Sequence, residues 1–209
     1  MMNLVREMRD KAKALLESEE VKYVFGWRKG TFWYQSPPVV ISRAEDVDKL
    51  VWDEFCLNNL SKYLLDYKHL DGKIALFVKG CDSRGVNRLL QDQQVEREKV
   101  VLIGVPCPGM KVPAKAKEMG RDKLADVQKI EKCAQCSTPN PVVYDEIIGD
   151  EVAAAQVAED ERFARVNELE GKSADEKYEF WKGQYAKCIR CFACRNICPA
   201  CNCRECCFR

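Results

Sequence analysis

Cys188, Cys191 and Cys194 repeat as C-x-x-C-x-x-C, and Cys198 follows four positions later with Pro199 directly behind it. This is the bacterial-type ferredoxin run, in which closely spaced thiolates reach three iron corners of a 4Fe-4S cube and the fourth ligand is supplied separately. In two-cluster ferredoxins the cysteine before the proline serves the other cluster, so spacing alone does not make Cys198 the fourth ligand. Cys201, Cys203, Cys206 and Cys207 follow as C-x-C and an adjacent pair, outside the ferredoxin rhythm. Which of them completes the site is left open.

Two other chemistries compete for these thiols. Zinc held by Cys188, Cys191, Cys203 and Cys206 would make the chain a zinc-bound protein-interaction module without redox activity. Zinc sites, however, usually present two separated pairs, and 13 cysteines with the single histidine His69 favour iron-sulfur ligation. His69 itself, in Y-K-H-L-D-G, reads as a solvated or capping residue. A disulfide-stapled tail would need an oxidising compartment. Arg6, Glu7, Arg9, Asp10, Lys11 and Lys13 interrupt the apolar residues of positions 1–20, which leaves no core for an export signal and predicts a cytoplasmic protein. No run approaches the ~18 apolar residues of a spanning helix, so direct membrane insertion is not expected.

Four further cysteines acquire a place from the elements around them. The apolar runs Lys73 to Lys79 and Val100 to Val105 read as strands buried on both faces, joined by a turn at Gly80 to Gly85 and a helix over Val86 to Gln94. That is a parallel strand-helix-strand unit. Cys81 in G-C-D-S-R-G and Cys107 in V-P-C-P-G-M then follow the carboxyl ends of neighbouring strands, where open α/β sheets bind ligands. Cys133 and Cys136 form C-x-x-C in a polar loop; alone the pair is a weak redox signal, but with Cys81 and Cys107 it completes the four thiolates of a second 4Fe-4S cluster. Gly80, Arg84 and Gly85 at the helix start suit an anion such as a flavin phosphate, and an ordinary strand-helix turn explains them equally. Cys56 falls in an apolar stripe and reads as a core residue.

The remaining elements follow from periodicity. Residues 3–19 space Leu4, Val5, Met8, Ala12, Leu15 and Leu16 as an amphipathic helix. Val21 to Trp27, Thr31 to Tyr34 and Val39 to Ile41 read as strands. Ser42 to Leu70 reads as helical, with Ser42 and Glu45 as a capping box. Beyond residue 145, Phe163, Val166 and Leu169 mark one helix, and Ser173 with Glu176 caps another carrying Phe180, Trp181 and Tyr185. The expected organisation is an α/β, Rossmann-like parallel-sheet domain over 1–144, a helical connector over 145–187 and a small ferredoxin-type, cysteine-rich segment over 188–209. Hydrophobic residues at 46% and charged residues at 32% suit a packed core, and 34 basic against 33 acidic side chains argue against a nucleic-acid partner.

Taken together, V-F-G-W-R-K-G, F-V-K-G-C-D-S-R-G, G-V-P-C-P-G-M, E-K-C-A-Q-C and C-I-R-C-F-A-C-R-N-I-C-P resemble the coenzyme F420-reducing hydrogenase and formate dehydrogenase beta-subunit family. The resemblance covers nearly the whole chain. It implies an iron-sulfur electron-transfer subunit of an oxidoreductase complex in an anaerobe, of hydrogenase, formate dehydrogenase or heterodisulfide-reductase type. Its cofactors would be one 4Fe-4S cluster in the tail and a second at the sheet, and its partners the other subunits. Family members also use a flavin, so the resemblance admits FAD as a further cofactor, although the sequence itself does not show the family's flavin and deazaflavin pocket. Arg190, Arg195 and Arg204 among the cysteines would raise a cluster potential or form a docking face.

Overall fold

The apolar runs at the centre of the chain form the centre of the sheet. In the computed structural model, which describes residues 2–203, the strands are β1 (Tyr23–Arg28), β2 (Pro38–Ile41), β3 (Leu50–Val51), β4 (Ile74–Val78), β5 (Val100–Gly104) and β6 (Glu146–Ile147). Their order is β2-β1-β4-β5-β6, with β3 paired to β1 off this path. β4 runs parallel to both β1 and β5, and β6 runs parallel to β5. Every residue of β4 is buried, as its unbroken apolar sequence requires. The helices are α1 (Met2–Glu17), α2 (Leu64–Tyr67), α3 (Gly80–Gln91), α4 (Pro113–Met119), α5 (Glu131–Ala134), α6 (Glu159–Arg162), α7 (Ala164–Glu170), α8 (Ala174–Tyr185) and α9 (Ala193–Ile197). This is the α/β architecture with a mostly parallel sheet and a cysteine-rich C-terminal region that the sequence predicts.

Helix α1 buries Met8, Ala12 and Leu15 at helical spacing against the sheet. β4, α3 and β5 make the expected crossover, and their core joins Leu76, Phe77, Val86, Leu89, Leu102 and Ile103. Cys56 is fully buried in the same core, as its position in an apolar stripe implied. Around α8 the capping box is present: Ser173 accepts from the Glu176 amide, and Glu176 accepts from the Ser173 amide.

Three local expectations differ from the structure. Thr31 to Tyr34 is a turn, closed by Gly30 N–H to Gln35 O at 3.0 Å and Gln35 N–H to Phe32 O at 3.1 Å, which reverses β1 into antiparallel β2. Ser42 to Leu70 is not one helix but two 3₁₀ turns (Ala44–Lys49 and Leu60–Tyr63), β3 and the short α2. The backbone there is captured by side chains: Asp53 accepts from the Phe55 amide at 2.9 Å and Asn59 from the Ser61 amide at 3.0 Å. The first turn begins after Arg43 with no side-chain cap, so the Ser42 and Glu45 box does not form. Finally, G-C-D-S-R-G is the opening of α3 itself, not a turn before it. Asp82 caps that start by accepting from the Lys79 amide at 2.9 Å.

Among the described residues, no helix is long and apolar enough to cross a membrane. Cys206, Cys207 and Arg204 lie outside the described residues.

Candidate metal centre

Cys81, Cys107 and the Cys133/Cys136 pair come from three separate places in the chain and line one cavity of about 210 Å³. Each arrives by a different device. β4 ends at Val78, and α3 starts at once, so Cys81 sits in the first turn of the helix at the carboxyl edge of the sheet. β5 ends at Gly104, and the Cys107 amide is then held by the Pro139 carbonyl at 3.0 Å. Cys133 lies in α5, whose first turn follows an Ile130 amide bonded to Met110 O at 2.8 Å. Cys136 holds the extended stretch after β6, its carbonyl accepting from the Ala155 amide at 2.9 Å. Asn140 clamps the same stretch, donating to Val152 O and accepting from Val152 N–H, both at 2.9 Å.

Close approach of these segments depends on two glycines. A Cβ on Gly80 would occupy the position of the Thr138 carbonyl oxygen, so only glycine lets α3 start against the C-x-x-C loop. Gly109 has φ +100, and a Cβ there would stand 3.3 Å from the Cys133 Cβ. Its amide donates to Cys107 Sγ at 3.4 Å.

The cavity is ringed by soft donors and cations. Lys79, Lys129 and Lys132 line it together with the apolar Leu57, Met110 and Ile130. Burial pushes the Cys107 thiol up to about 11, against the opposing pull of the Gly109 amide and the Lys79 charge. Burial likewise pushes Cys81 up to about 12, with Asp82 adding to the rise. Cys81 also keeps a solvent-exposed face. Protons must therefore leave these thiols when a metal binds.

The donor set fits an iron-sulfur cube: four thiolates, no imidazole or carboxylate in the lining, an apolar wall, and the ammonium groups of Lys129 and Lys132 against the negative charge of a thiolate-ligated cluster. Among the described residues, no three His, Cys, Asp or Glu side chains close on a single ion. In a cube each thiolate takes a different iron corner, so the sulfurs stand apart.

The tail is built differently. Cys188, Cys191, Cys194, Cys198, Cys201 and Cys203 are all exposed. The run between them winds through two non-glycine residues in the left-handed region, Arg190 at φ 56 and Phe192 at φ 58. The Arg190 amide donates to Cys188 Sγ at 3.4 Å. An amide two residues on thus faces a cysteine sulfur in both cysteine groups, at Cys107 and at Cys188. Of Gly80, Arg84 and Gly85, only Gly80 lines the cysteine cavity: Gly85 packs on Ser61 and Asn59, and Arg84 is exposed. Sequence reasoning missed Lys79, a buried cation next to the cysteines that ends an apolar run.

Comparison with known proteins bears on this arrangement. The chain is 23% identical to F420-dependent formate dehydrogenase 1 subunit beta of Methanococcus maripaludis, over 93% of its own length and 71% of that protein. It is 21% identical to the F420-dependent formate dehydrogenase subunit beta of Methanocaldococcus jannaschii, over 93% and 72%. The chain is a relative of F420-dependent formate dehydrogenase beta subunits. The resemblance carried by its cysteine motifs is borne out. The first alignment runs over 275 positions, longer than the chain, so that relative carries residues with no counterpart here. A chain of the F420-reducing hydrogenase complex from Methanosarcina barkeri matches with a TM-score of 0.46 and 18% identity, over 59% of this chain and 47% of that one. No family model matches.

Proposed function

We propose that this protein is an electron-transfer subunit of an oxidoreductase complex, carrying one 4Fe-4S cluster on Cys81, Cys107, Cys133 and Cys136 and a second on Cys188, Cys191 and Cys194 with a fourth ligand from the remaining tail cysteines. The observation that carries the proposal is the convergence of four cysteines, spread over 56 positions of sequence, on the walls of one cavity. Its relatives bear the names of oxidoreductase subunits, which supports the same class of role.

When bound, such clusters accept and release single electrons. The protein's own residues do the rest. Lys129 and Lys132 offset negative charge at the cavity, and the Gly109 amide bonds a ligand sulfur, both of which favour the reduced state. Leu57, Met110, Ile130 and the Val152 to Ala155 stretch exclude water. At the exposed tail, Arg190 and Arg195 stand beside the cysteines where a partner subunit would approach. A flavin phosphate at Gly80, Arg84 and Gly85 has less support, because internal contacts occupy both glycines.

The test is anaerobic purification with iron and sulfide analysis. Two clusters give about eight irons per chain and a brown protein. A colourless protein holding one zinc would instead support the interaction-module reading. An isolated chain that reduces a deazaflavin or a nicotinamide at enzyme-like rates would overturn the relay assignment.

A further inference from the structure

The two cysteine groups are tied to opposite ends of one short turn. Asn59, the cap of the 3₁₀ turn Leu60–Tyr63, donates through Nδ2 to the Cys81 carbonyl at 3.0 Å. The Leu60 amide donates to Asp82 Oδ1 at 2.9 Å, which fixes the turn to the start of α3. Three residues after Asn59, Lys62 Nζ donates to the Cys201 carbonyl at 2.6 Å. A 3₁₀ turn of three residues advances only ~6 Å. A second tether lies next to it: Asn202 Nδ2 donates to Asp92 Oδ2 at 2.7 Å, at the C-terminal cap of α3. Asp92 is itself held by Arg88 at 2.9 Å through its other oxygen.

We infer that Lys62 and Asn202 form a latch that seats the cysteine tail on the α3 face of the sheet domain, so that the tail site stands at a fixed separation from the cavity site within one chain. This rests on the two-cluster reading above. The latch residues are positioning residues and take no part in the transfer, in which one electron lost at one site is gained at the other and no bond is made or broken. Nothing else among the described residues gives the tail such an anchor: α7 and α8, which lead to it, contain no buried residue. Without a latch, the separation between the two sites would be set by an exposed connector.

The latch is tested in the full chain, purified without oxygen, by the double variant Lys62→Ala/Asn202→Ala and by Lys62→Arg. Two readouts are taken. Hydrogen exchange follows the Cys201 amide, which donates to Cys198 O at 3.0 Å in the latched tail. Magnetic coupling between the two reduced sites reports their separation. In the double variant exchange should quicken by at least about tenfold, since one lost charge-assisted hydrogen bond alone is worth about that much and two are removed, and coupling should fall while iron content is kept. Lys62→Arg, which keeps the cation, should restore both. Parental exchange and coupling in the double variant overturn the latch. Parent protein without iron in the cavity overturns the cluster reading instead, and exchange at Cys201 then still decides whether the latch exists.

Discussion

Lys79 and Asp82 form an ion pair of 2.8 Å with 2% and 0% of their side chains open to solvent, directly beneath the cysteine cavity. Asp82 also accepts from the amides of Leu60 and Lys79, and the Lys79 ammonium lies 3.9 Å from the centre of the Trp27 ring and 3.0 Å from Asn58 O. The pair thereby ties together the strand end, the helix start and the 3₁₀ turn capped by Asn59. Asp82→Ala should cost about 3–5 kcal/mol, because it strands a buried cation. Asp82→Asn, which keeps acceptors for the amides, should cost less. Urea midpoints of the three proteins check this, and equal midpoints for Asp82→Ala and the parent would refute it.

Iron analysis of single cysteine variants separates the two sites. Cys107→Ala or Cys133→Ala should lower iron by up to half while leaving the tail signal intact, and Cys191→Ala should do the reverse. Cys56→Ala should keep all the iron, since that thiol is sealed in the core and burial drives its pKa upward. Loss of iron from the Cys56 variant alone would point to a ligand set different from the one assigned.

The parallel centre of the fold was legible because β4 and β5 are unbroken apolar runs, and the rule that ligands gather at the carboxyl edge then placed Cys81 and Cys107 together. The stretch from Ser42 to Leu70 was not legible. Val47, Leu50, Leu60 and Leu64 do reach the core, but Asp53 and Asn59 bend the backbone with their own side chains, and apolar spacing cannot register that. β6 is too short to show alternation; its place is fixed by Asp145, whose amide and carboxylate both bond Leu102. The Lys62 contact was out of reach as well, since it joins a lysine to a backbone carbonyl 139 positions away.

Asp145 gives the chain an acid-sensitive tie. Partial burial works to raise its pKa, but the Arg97 hydrogen bond at 2.5 Å, the Leu102 amide and the Arg97 charge outweigh it, and the carboxyl is held below its usual range. A folded-state pKa below the unfolded value of about 3.9 contributes stability above that pH and loses it as pH falls through the folded value. Asp145→Asn should therefore be less stable than the parent at about pH 6, with the gap closing below about pH 4. Chemical denaturation at the two pH values measures it; a gap that widens on acidification would reverse the sign of the assignment.

Gly80 offers the sharpest link between backbone packing and metal loading. Its Cα faces the carbonyls of Thr138 and Asn140, the first in the space a methyl would need and the second 2.9 Å from it, so Gly80→Ala must push the 138–140 segment away. That segment supplies the Pro139 carbonyl that holds the Cys107 amide, and it begins two residues after Cys136. Overpacking of this kind costs about 1–3 kcal/mol, and here the displaced segment also holds Cys107 in place. Gly80→Ala should lose cavity iron, keep tail iron and unfold earlier. Gly183→Ala is the control: it lies within α8 with nothing inside 4 Å of a new Cβ, and alanine there should stabilise by about 0.5–1 kcal/mol without changing iron content. Iron content and thermal unfolding of both variants decide the matter, and full cavity iron in Gly80→Ala would separate the glycine contact from the metal site.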